Sequence, residues 1–525
     1  DATSHMTQRL QLTPPAAPLP LGTGAPTPGI ALAGDPAEAA SRFGLESPLP
    51  DGFVEILGAT GVEVDVTPAV LAEHSRDWWP IGLVWATEGQ VPALAGAVAR
   101  PTDVDGVVAV VRACATHGVA LTVTGGRSGV LGASVPLLGG VALDMCGLAG
   151  ISAVDATSGI VSVLPGTFGD VFEDDLRRSH HLTVGHWPQS MALSTVGGWV
   201  ACRGAGQYST RYGKIEDLVV GLDVVLADGT LIHTGGAPRA AHGPDLTQLF
   251  VGSEGTLGII VGVHLRARPL PPAEGRAAYS FTTFDAALAA MRRTVQRGAT
   301  PAVLRLYDAT EADRGFGTGD VALLLALDEG DPAIVAATLG VLDEEAIEQG
   351  ATAADVALVE RWMQRRNNVA ELEDLVGKGF VVDTMEISAP WSVLGDLARN
   401  VVEALQGVDG TLVASTHQSH SYLDGGCLYF TFAGGVEPAE RTAYHARAWE
   451  VATRTVLEGG GSLSHHHGVG IGRAPFMDQA LGGGFAVLQA IKSALDPTGL
   501  LNPGGLGLGP VPRETDVAPT GDARG

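Results

Sequence analysis

The chain has 525 residues, a formal net charge of −26, 45% hydrophobic residues and 17% charged residues. The length favours about three domains and the apolar content is enough for a sizeable core. The negative charge argues against nucleic acid or an anionic membrane surface as a partner, so we expect a small-molecule substrate. No integral membrane segment or signal peptide is apparent and the four cysteines are widely spaced, so we expect a cytoplasmic protein.

The chain begins with segments that carry no chemistry. Residues 1–45 combine what looks like a tag remnant, DATSHM, with a stretch rich in Pro, Ala and Gly, and we predict a mobile segment there. Residues 46–95 hold short apolar runs and are expected to pack on the main body as a lead-in segment. From 96 to 270, short β-rich runs alternate with helical patterns, which predicts an α+β domain.

Two local sequence patterns in that domain predict individual secondary-structure elements, a hairpin and a helix. Asp228-Gly229 separates two β-rich runs and predicts a hairpin. Helical spacing of apolar residues after Pro101 predicts a helix; these residues are Val104, Val107, Val108, Val111 and Ala115.

Three glycine-rich loops predict a site for a large cofactor with a flat ring and a diphosphate. We call 125–129 glycine loop 1, 194–206 glycine loop 2 and 252–258 glycine loop 3. Gly197 and Gly198 have no Cβ, so a planar ligand can lie on the backbone there, and the free N–H groups of such loops bind anions. No GxGxxG lies between a strand and a helix, so a Rossmann site is not supported. A glycine-rich surface loop is the alternative explanation for any one of the three.

Several of these stretches resemble a known family. TGGRSGV, STVGGWVACRGAG, RYGKIED and GSEGTLGII look like the PCMH-type FAD-binding domain of the vanillyl-alcohol oxidase flavoprotein superfamily. Within it, the chain is similar to the alkyldihydroxyacetonephosphate synthase family through PAVLRLYDA, TMEISAPW, GGCLYFTFA and GGSLSHHHGVG. The resemblance implies a cap (substrate) domain with an antiparallel sheet at 271–455 and a C-terminal segment, 456–510, that returns to the flavin. We expect 511–525 to be a disordered tail.

The same resemblance implies which residues bind FAD. Residues 123–129 would wrap the diphosphate, 189–195 and 202–205 would line the flavin and ribityl chain, and 254–260 would hold the adenosine side. Many relatives carry a covalent flavin link where this chain has Arg127; arginine cannot form that bond, so the resemblance implies non-covalent FAD. The full set is Val123, Thr124, Gly125, Gly126, Arg127, Ser128, Gly129, Gln189, Ser190, Met191, Ala192, Leu193, Ser194, Thr195, Gly197, Gly198, Cys202, Arg203, Gly204, Ala205, Tyr212, Glu254, Gly255, Thr256, Leu257, Gly258, Ile259 and Ile260.

The resemblance also implies a catalytic tyrosine. Tyr429 would exchange a proton with the substrate, which calls for a pKa pulled down by its neighbours. In the strand-like run CLYFTF, side chains alternate between two faces, so Tyr429 points to the face opposite that of Leu428 and Phe430. A core tyrosine with a satisfied hydroxyl is the alternative. Arg305 matches a family arginine needed for activity, although a structural ion pair would explain an interior arginine equally well.

The consecutive histidines His465, His466 and His467 are the remaining catalytic candidates. A histidine near a flavin can hold charge or relay a proton. In an extended segment neighbouring side chains face opposite ways, and HExxH spacing is absent, so we expect no metal site. At least one of the three is expected to be structural.

One departure from the family bears on the substrate. The family has an arginine that grips a substrate phosphate, and the matching place here is near Leu372, between Glu371 and Glu373. Carboxylates repel a phosphate. Arg365 and Arg366 lie about two turns away if the segment is helical.

Three functions therefore compete. The first is an FAD-dependent oxidoreductase that takes a hydride onto flavin N5 from a small hydroxyl- or amine-bearing substrate. The second is an ether-forming alkyldihydroxyacetonephosphate synthase with no net redox change, and the third is a non-catalytic flavin-binding protein. The missing arginine favours the first, and the joint presence of Tyr429, Arg305 and the histidines disfavours the third. The oligomer stays open, with a homodimer as one alternative.

Overall fold

Three β-sheets form the framework of the computed structural model, which describes residues 10–11, 30–368 and 370–516. Sheet 1 is mixed, with strands in the order Glu63–Asp65, Ala97–Arg100, Val141–Asp144 and Leu121–Thr124. Sheet 2 is antiparallel, in the order Leu231–Gly235, Val219–Val225, Ile259–Arg266, Ile160–Val163 and Ile151–Asp155. Sheet 3 is antiparallel with eight strands; seven follow the order Leu10–Gln11, Ala273–Phe281, Ala322–Gly330, Val303–Tyr307, Thr411–Ser421, Gly425–Gly434 and Val381–Pro390, and Thr352–Ala353 pairs with Ala273–Phe281.

Helices connect the strands. Among the described residues, no helix is both long and apolar enough to cross a membrane. The α-helices before residue 270 are Phe53–Gly58, Pro68–Glu73, Pro80–Ala86, Val104–His117, Gly169–His180, Val196–Ala201, Ser209–Tyr212, Ile215–Leu218 and Leu246–Phe250. Those after it are Phe284–Gln296, Ala309–Phe316, Pro332–Glu348, Ala357–Arg365, Ala370–Gly377, Trp391–Gln406, Arg441–Glu458, Met477–Leu481 and Gly483–Leu495. Two short strand pairs, Ala40–Ser41 with Gln90–Val91 and Leu182–Thr183 with Arg268–Pro269, complete the sheets.

The helix Val104–His117 shows how the sequence sets local structure. Asp103 caps its start by accepting a backbone N–H at 2.7 Å, and Gly118 ends it with a φ of 64°. Val107 and Val111 are fully buried in a core shared with sheet 1. The predicted helix is confirmed, and the predicted hairpin is present in sheet 2.

Most residues of sheet 3 are buried, and its central strands contribute apolar side chains to two separate cores. Leu324 and Ala326 belong to a core formed with the helices that follow residue 270. Leu323 and Leu325 belong to a second core, which sheet 3 shares with sheet 2. This alternation gives sheet 3 one face directed toward the first half of the chain, and the antiparallel sheet expected in the second half is confirmed.

The C-terminal segment returns to the first half of the chain. The N–H of Leu121 donates to Leu500 at 2.9 Å, and Leu121 accepts from the N–H of Asn502 at 2.8 Å. The buried Lys492 Nζ donates to the carbonyl of Thr256 at 2.7 Å. The chain end is therefore fastened to glycine loop 3.

Described residues of both terminal segments make buried contacts where we predicted a mobile segment and a disordered tail. Residues 1–9, 12–29 and 517–525 lie outside the described residues. Within the segment that we predicted to be mobile, Phe43 is buried with its ring 5.8 Å from that of Trp85. Within the predicted tail, Glu514 accepts from His445 Nδ1 at 2.6 Å. A buried aromatic ring and a buried ion pair fix these two stretches.

His445 joins the tail to the helix Arg441–Glu458 through a buried charge cluster. Its Nε2 lies 2.7 Å from Asp383, which also accepts from Trp449 Nε1 at 2.8 Å. Burial alone would lower the pKa of His445, but Glu514 and Asp383 raise it to about 10. Histidine is therefore the charged partner of two carboxylates.

We predict that His445→Gln lowers the free energy of unfolding by about 3–5 kcal/mol near pH 6, as expected for one lost partner of a buried ion pair. Because the folded pKa is raised, the stabilisation is complete below about pH 6.5 and disappears as the pH rises through about 10. Urea unfolding of both proteins at several pH values measures the difference. The exposed His180→Gln is the control, and a difference that grows with pH would contradict the prediction.

Candidate functional site

Four polar side chains form a row across the face of sheet 3 that looks toward the first half of the chain. Antiparallel register places Glu386 opposite Tyr429, Tyr429 opposite His417, and His417 opposite Tyr307. The rings of His417 and Tyr429 stack at 4.6 Å. Leu428 and Phe430 lie in the core on the opposite face, as the alternation predicted. We call these four residues the polar row.

Glu386 holds the histidine segment over this row. Its carboxylate accepts the backbone N–H groups of His465 at 2.8 Å, His466 at 3.3 Å and His467 at 2.5 Å. The buried Arg473 donates to the same carboxylate at 3.0 Å. Burial alone would raise the pKa of Glu386, but Arg473, His467 and these N–H groups lower it to about 2. The carboxylate is therefore ionised and organises the loop.

The expectation that neighbouring histidines face opposite ways is wrong for His465 and His466. Their Nδ1 atoms lie 2.7 Å apart, because the segment bends around Glu386 instead of running as a strand. His420, which the sequence did not single out, brings a third nitrogen within 4.8 Å of these two. Three imidazoles therefore converge, which our argument against a metal site did not foresee.

Tyr429 is hydrogen-bonded to the same histidines. Its Oη lies 2.5 Å from His466 Nε2 and 3.5 Å from His467 Nε2. Our expectation of a lowered pKa is wrong: burial raises the pKa of Tyr429 well above its usual value. Burial also lowers the pKa of His466 well below its usual value. At neutral pH the pair consists of a protonated phenol and a neutral imidazole.

Arg305 lies at the other end of the polar row. Its Nε donates to Tyr307 Oη at 2.6 Å, and its Nη2 lies 2.8 Å from His417 Nε2. His417 Nδ1 lies 2.9 Å from Glu311. The guanidinium thus belongs to a network that reaches a carboxylate through a histidine, and it places positive charge beside Tyr429.

The three glycine loops converge in the first half of the chain. A Cβ on Gly126 would lie 1.9 Å from the carbonyl oxygen of Leu193, so loop 1 packs directly on the segment before loop 2. The N–H of Glu254 donates to Ala201 at 2.9 Å, which joins loop 3 to loop 2. A Cβ on Gly468 would lie 3.8 Å from Cys202 Cβ, so the histidine segment also reaches the loops.

The loops fit a bound FAD on three observations. Each contains a non-glycine residue in the left-handed region, at φ values of 51° for Arg127, 56° for Arg203 and 49° for Glu254, a strain that is common at ligand sites. Among the described residues, Arg127 Nε and Ser253 Oγ are buried without a hydrogen-bond partner. Gly198 and Gly255 leave room on the loop surfaces, since nothing lies within 3 Å of a Cβ added there.

Several residues expected to bind FAD have other partners. Tyr212 Oη donates to Glu329 on sheet 3 at 2.6 Å. The Glu254 carboxylate accepts the N–H groups of Val469 at 2.6 Å and Gly470 at 2.9 Å. The side chains of three residues after Gly255 are packed in the cores; they are Leu257, Ile259 and Ile260. Gln189 is exposed. A Cβ added to Gly197 would lie 2.6 Å from Pro165 Cβ, so this glycine packs on the protein and lacks the open backbone that we expected for a planar ligand. The FAD contacts of the other residues in the set stay a prediction.

Sequence reasoning missed several polar residues of the site. Glu386 could have been found, since it is a carboxylate between the apolar residues Met385 and Ile387 in a strand-like run. His186 is buried with neither ring nitrogen hydrogen-bonded among the described residues, and burial with the nearby Lys214 lowers its pKa to about 3. The others, which depend on chain segments far apart in sequence, are Ser209, His417, His420, Tyr422 and Arg473.

Comparisons with known proteins agree with this arrangement. The model of the FAD binding domain matches residues 95–235, and that of the C-terminal domain of FAD linked oxidases matches residues 270–506. The uncharacterized FAD-linked oxidoreductase YgcU of Escherichia coli K12 is 30% identical over 476 residues, which cover 86% of this chain and 97% of YgcU. The chain belongs to the FAD-linked oxidoreductase family. It is an FAD-dependent enzyme.

Other members and neighbours extend the comparison. Alkyldihydroxyacetonephosphate synthase of Trypanosoma brucei brucei is 26% identical over 545 residues, covering 95% of this chain and 86% of that protein. A solved alkyldihydroxyacetonephosphate synthase superposes with a TM-score of 0.75 at 23% identity, covering 96% and 92% of the two chains. p-Cresol methylhydroxylase superposes with a TM-score of 0.70 at 18% identity, covering 89% and 99%. The predicted PCMH-type fold is confirmed.

We predict that Glu386→Gln destabilises this FAD-linked oxidoreductase by about 3–5 kcal/mol at neutral pH, because Arg473 then stays buried without its anion. Hydrogen exchange of the 465–467 amides should accelerate, since their shared acceptor loses its charge. Because the pKa of Glu386 falls from 4.5 to about 2 on folding, its stabilisation is present above pH 4.5 and is lost as the pH falls toward 2. Glu360→Gln, at a partly exposed pair with Arg276, is the control.

Proposed function

We propose that the protein is an FAD-dependent oxidoreductase that acts on a small hydroxyl- or amine-bearing substrate without a phosphate group. The substrate would lie between the glycine loops and the polar row. Non-covalent FAD, held by the loops, would supply the electron-accepting isoalloxazine ring. The observation that carries the proposal is the 2.5 Å contact between Tyr429 and His466 on the face of sheet 3 directed toward the loops.

Tyr429 would move the substrate proton. Because burial raises the pKa of Tyr429, its phenolate form is unfavourable. Tyr429 would therefore give its hydrogen to the substrate while accepting another hydrogen. His466 is the only partner at a short distance among its described hydrogen bonds. Arg305 would hold a polar group of the substrate, since its guanidinium lies next to the ring that stacks on Tyr429.

The surroundings of Leu372 support a substrate without phosphate. The Leu372 side chain is half-buried and packs in an apolar cluster together with Leu193 beside glycine loop 2. The buried Arg366 donates to Gln207 at 2.7 Å and lies over the Trp362 ring. Arg365 donates to the carbonyl of Gly315 at 3.3 Å. The side chain of Glu371 lies outside the described residues, so the repulsion expected from it stays a prediction.

Ether formation is the second candidate. It is favoured by the similarity to alkyldihydroxyacetonephosphate synthase over 95% of this chain. The polar row and the histidines would serve either reaction, whereas the residue at 372 distinguishes them. The four free cysteines, Cys114, Cys146, Cys202 and Cys427, fit the cytoplasmic location that we propose.

We predict that acid precipitation releases the flavin into the supernatant as FAD, because Arg127 replaces the residue that could be linked. Absorbance of supernatant and pellet measures this. Flavin that stays with the pellet would disprove non-covalent binding.

We predict that Tyr429→Phe keeps FAD bound while flavin reduction slows by about 10²-fold or more, the usual scale for a general acid–base group. The measurement is anaerobic stopped-flow bleaching with a panel of 2-hydroxy acids, primary amines and aryl alcohols. Tyr444→Phe, which removes a buried hydroxyl bonded to Thr411, is the matched control. Equal rates in the Tyr429 variant and the wild type would return Tyr429 to a structural role.

We predict that acyl-dihydroxyacetone phosphate and a long-chain alcohol give little ether product. Losing one charge-assisted contact to a phosphate costs roughly 1.5–3 kcal/mol. Leu372→Arg, combined with Glu371→Gln and Glu373→Gln, should strengthen binding of the phosphate substrate if the alignment is right. Ether formation by the wild type on the order of 1 s⁻¹ would favour the second candidate instead.

A further inference from the structure

We propose that a buried chain of hydrogen bonds carries protons between Tyr429 and His420, which is itself buried, so that Tyr429 can lose and regain a proton while every group on the way stays neutral. The proposal rests on the proposed acid–base role of Tyr429 and names the route that supplies and removes its proton. Three residues without a role so far, Tyr422, Ser209 and His420, become the relay.

The chain consists of successive short contacts between side chains from four separate parts of the sequence. It runs from Tyr429 Oη to His466 Nε2 at 2.5 Å, from His466 Nδ1 to His465 Nδ1 at 2.7 Å, from His465 Nε2 to Tyr422 Oη at 3.0 Å, from Tyr422 Oη to Ser209 Oγ at 3.2 Å, and from Ser209 Oγ to His420 Nδ1 at 2.7 Å. Each contact is within ordinary hydrogen-bond range. No contact needs a bridging molecule.

Each group in the chain can donate one hydrogen and accept another. All hydrogen bonds of the chain can therefore point either toward His420, the first direction, or toward Tyr429, the second direction. A neutral imidazole protonated on one nitrogen accepts on the other, and a hydroxyl does both. In the first direction Tyr429 donates to His466, and Ser209 donates to His420. In the second direction His420 donates to Ser209, and His466 donates to Tyr429, whose own hydrogen is then free for the substrate.

One pass of the relay converts the second direction into the first. Tyr429 gives its hydrogen to the substrate and takes the one on His466 Nε2, and each later group shifts one hydrogen along the chain. His420 loses its Nδ1 hydrogen to Ser209 and takes one from water at Nε2. One proton enters at His420 and one leaves at Tyr429; no electrons move, and the reverse pass accepts a proton from the substrate.

Neutral transfer is what this environment demands. Burial raises the pKa of Tyr422 and Tyr429 well above the usual value and lowers the pKa of His420 and His465 well below it. A free phenolate or imidazolium would therefore be costly at any point of the chain. A coordinated shift of hydrogens avoids both ions.

The fold holds the last two groups of the relay, Ser209 and His420, together. Ser209 opens the helix Ser209–Tyr212 in the first half of the chain, whereas His420 lies on sheet 3 at a bulge between Ser419 and Ser421. His420 has a φ of 55°, which an L-residue adopts at a cost. The N–H of Ser421 donates to Thr210 Oγ1 at 2.9 Å, which fixes this strand against the helix.

A bound metal ion is the competing use of the same atoms. One nitrogen from each of His420, His465 and His466 lies within 4.8 Å of the others. An ion ligated by the two Nδ1 atoms would replace their shared hydrogen and interrupt the relay. Metal analysis of the purified holoenzyme separates the two uses: a stoichiometric ion that is lost in His420→Ala would overturn the relay.

The direct test cuts the chain at its middle. In holoenzyme labelled with ¹⁵N-histidine, exchange between the two directions should give averaged ring shifts for His465 and His466, and Tyr422→Phe should lock each ring into one tautomer. Tyr444→Phe is the control, because its hydroxyl also lies buried but in the other core. Identical histidine spectra in wild type and Tyr422→Phe would overturn the proposal.

Kinetics give a second and separate readout. The substrate is the member of the panel that bleaches the flavin fastest. Tyr422→Phe, Ser209→Ala and the double variant should each slow flavin reduction by about tenfold or more. The three factors should be equal, because one broken contact already stops transfer along the chain. The solvent isotope effects of the three variants should also agree. If Tyr429→Phe is slow but Tyr422→Phe matches the control, the relay is wrong and the proposed function stands. If Tyr429→Phe is itself unaffected, the proposed acid–base role of Tyr429 fails, and the relay fails with it.

Discussion

The carboxylate of Glu386 is the point on which the site depends. It receives three successive backbone N–H groups and Arg473, so one ionised side chain sets the course of the histidine segment. A buried carboxylate is tolerated only when such partners compensate for its lost hydration. The compensation here has a second effect, since the same bend that satisfies Glu386 turns His465 and His466 toward each other.

Sheet 3 supplies the other half of the arrangement. Because side chains alternate along a strand, one face can be core while the other carries Tyr429, His417 and Glu386 in register. The row is rigid because long antiparallel strands hold it, and the glycine loops face it from the first half of the chain. The positions of these polar side chains are therefore set by the strand pairing of sheet 3 and do not depend on the glycine loops.

The sequence predicted correctly those features that depend on residues close together in the chain. The apolar spacing in Val104–His117, the Asp228-Gly229 pair and the alternation around Tyr429 each predicted what the structure contains. The family resemblance added the FAD-binding assignment, which spacing alone could not provide. The facing of the histidines was predicted wrongly, since it is decided by a carboxylate about eighty residues earlier, and no local pattern records that contact. The same holds for the pKa of Tyr429, which follows from burial by several segments.

The fastening of glycine loop 3 by the chain end bears on how the protein is made. Lys492 binds the carbonyl of Thr256, and Asn502 Nδ2 donates to the carbonyl of Glu254 at 2.7 Å, across a sequence separation of 248 residues. On the ribosome this loop emerges long before its partners do. Contacts of such long range form late and slowly. The final packing of glycine loop 3 therefore depends on a segment that lies 236 to 248 residues further along the chain, and it waits for that segment to be synthesised.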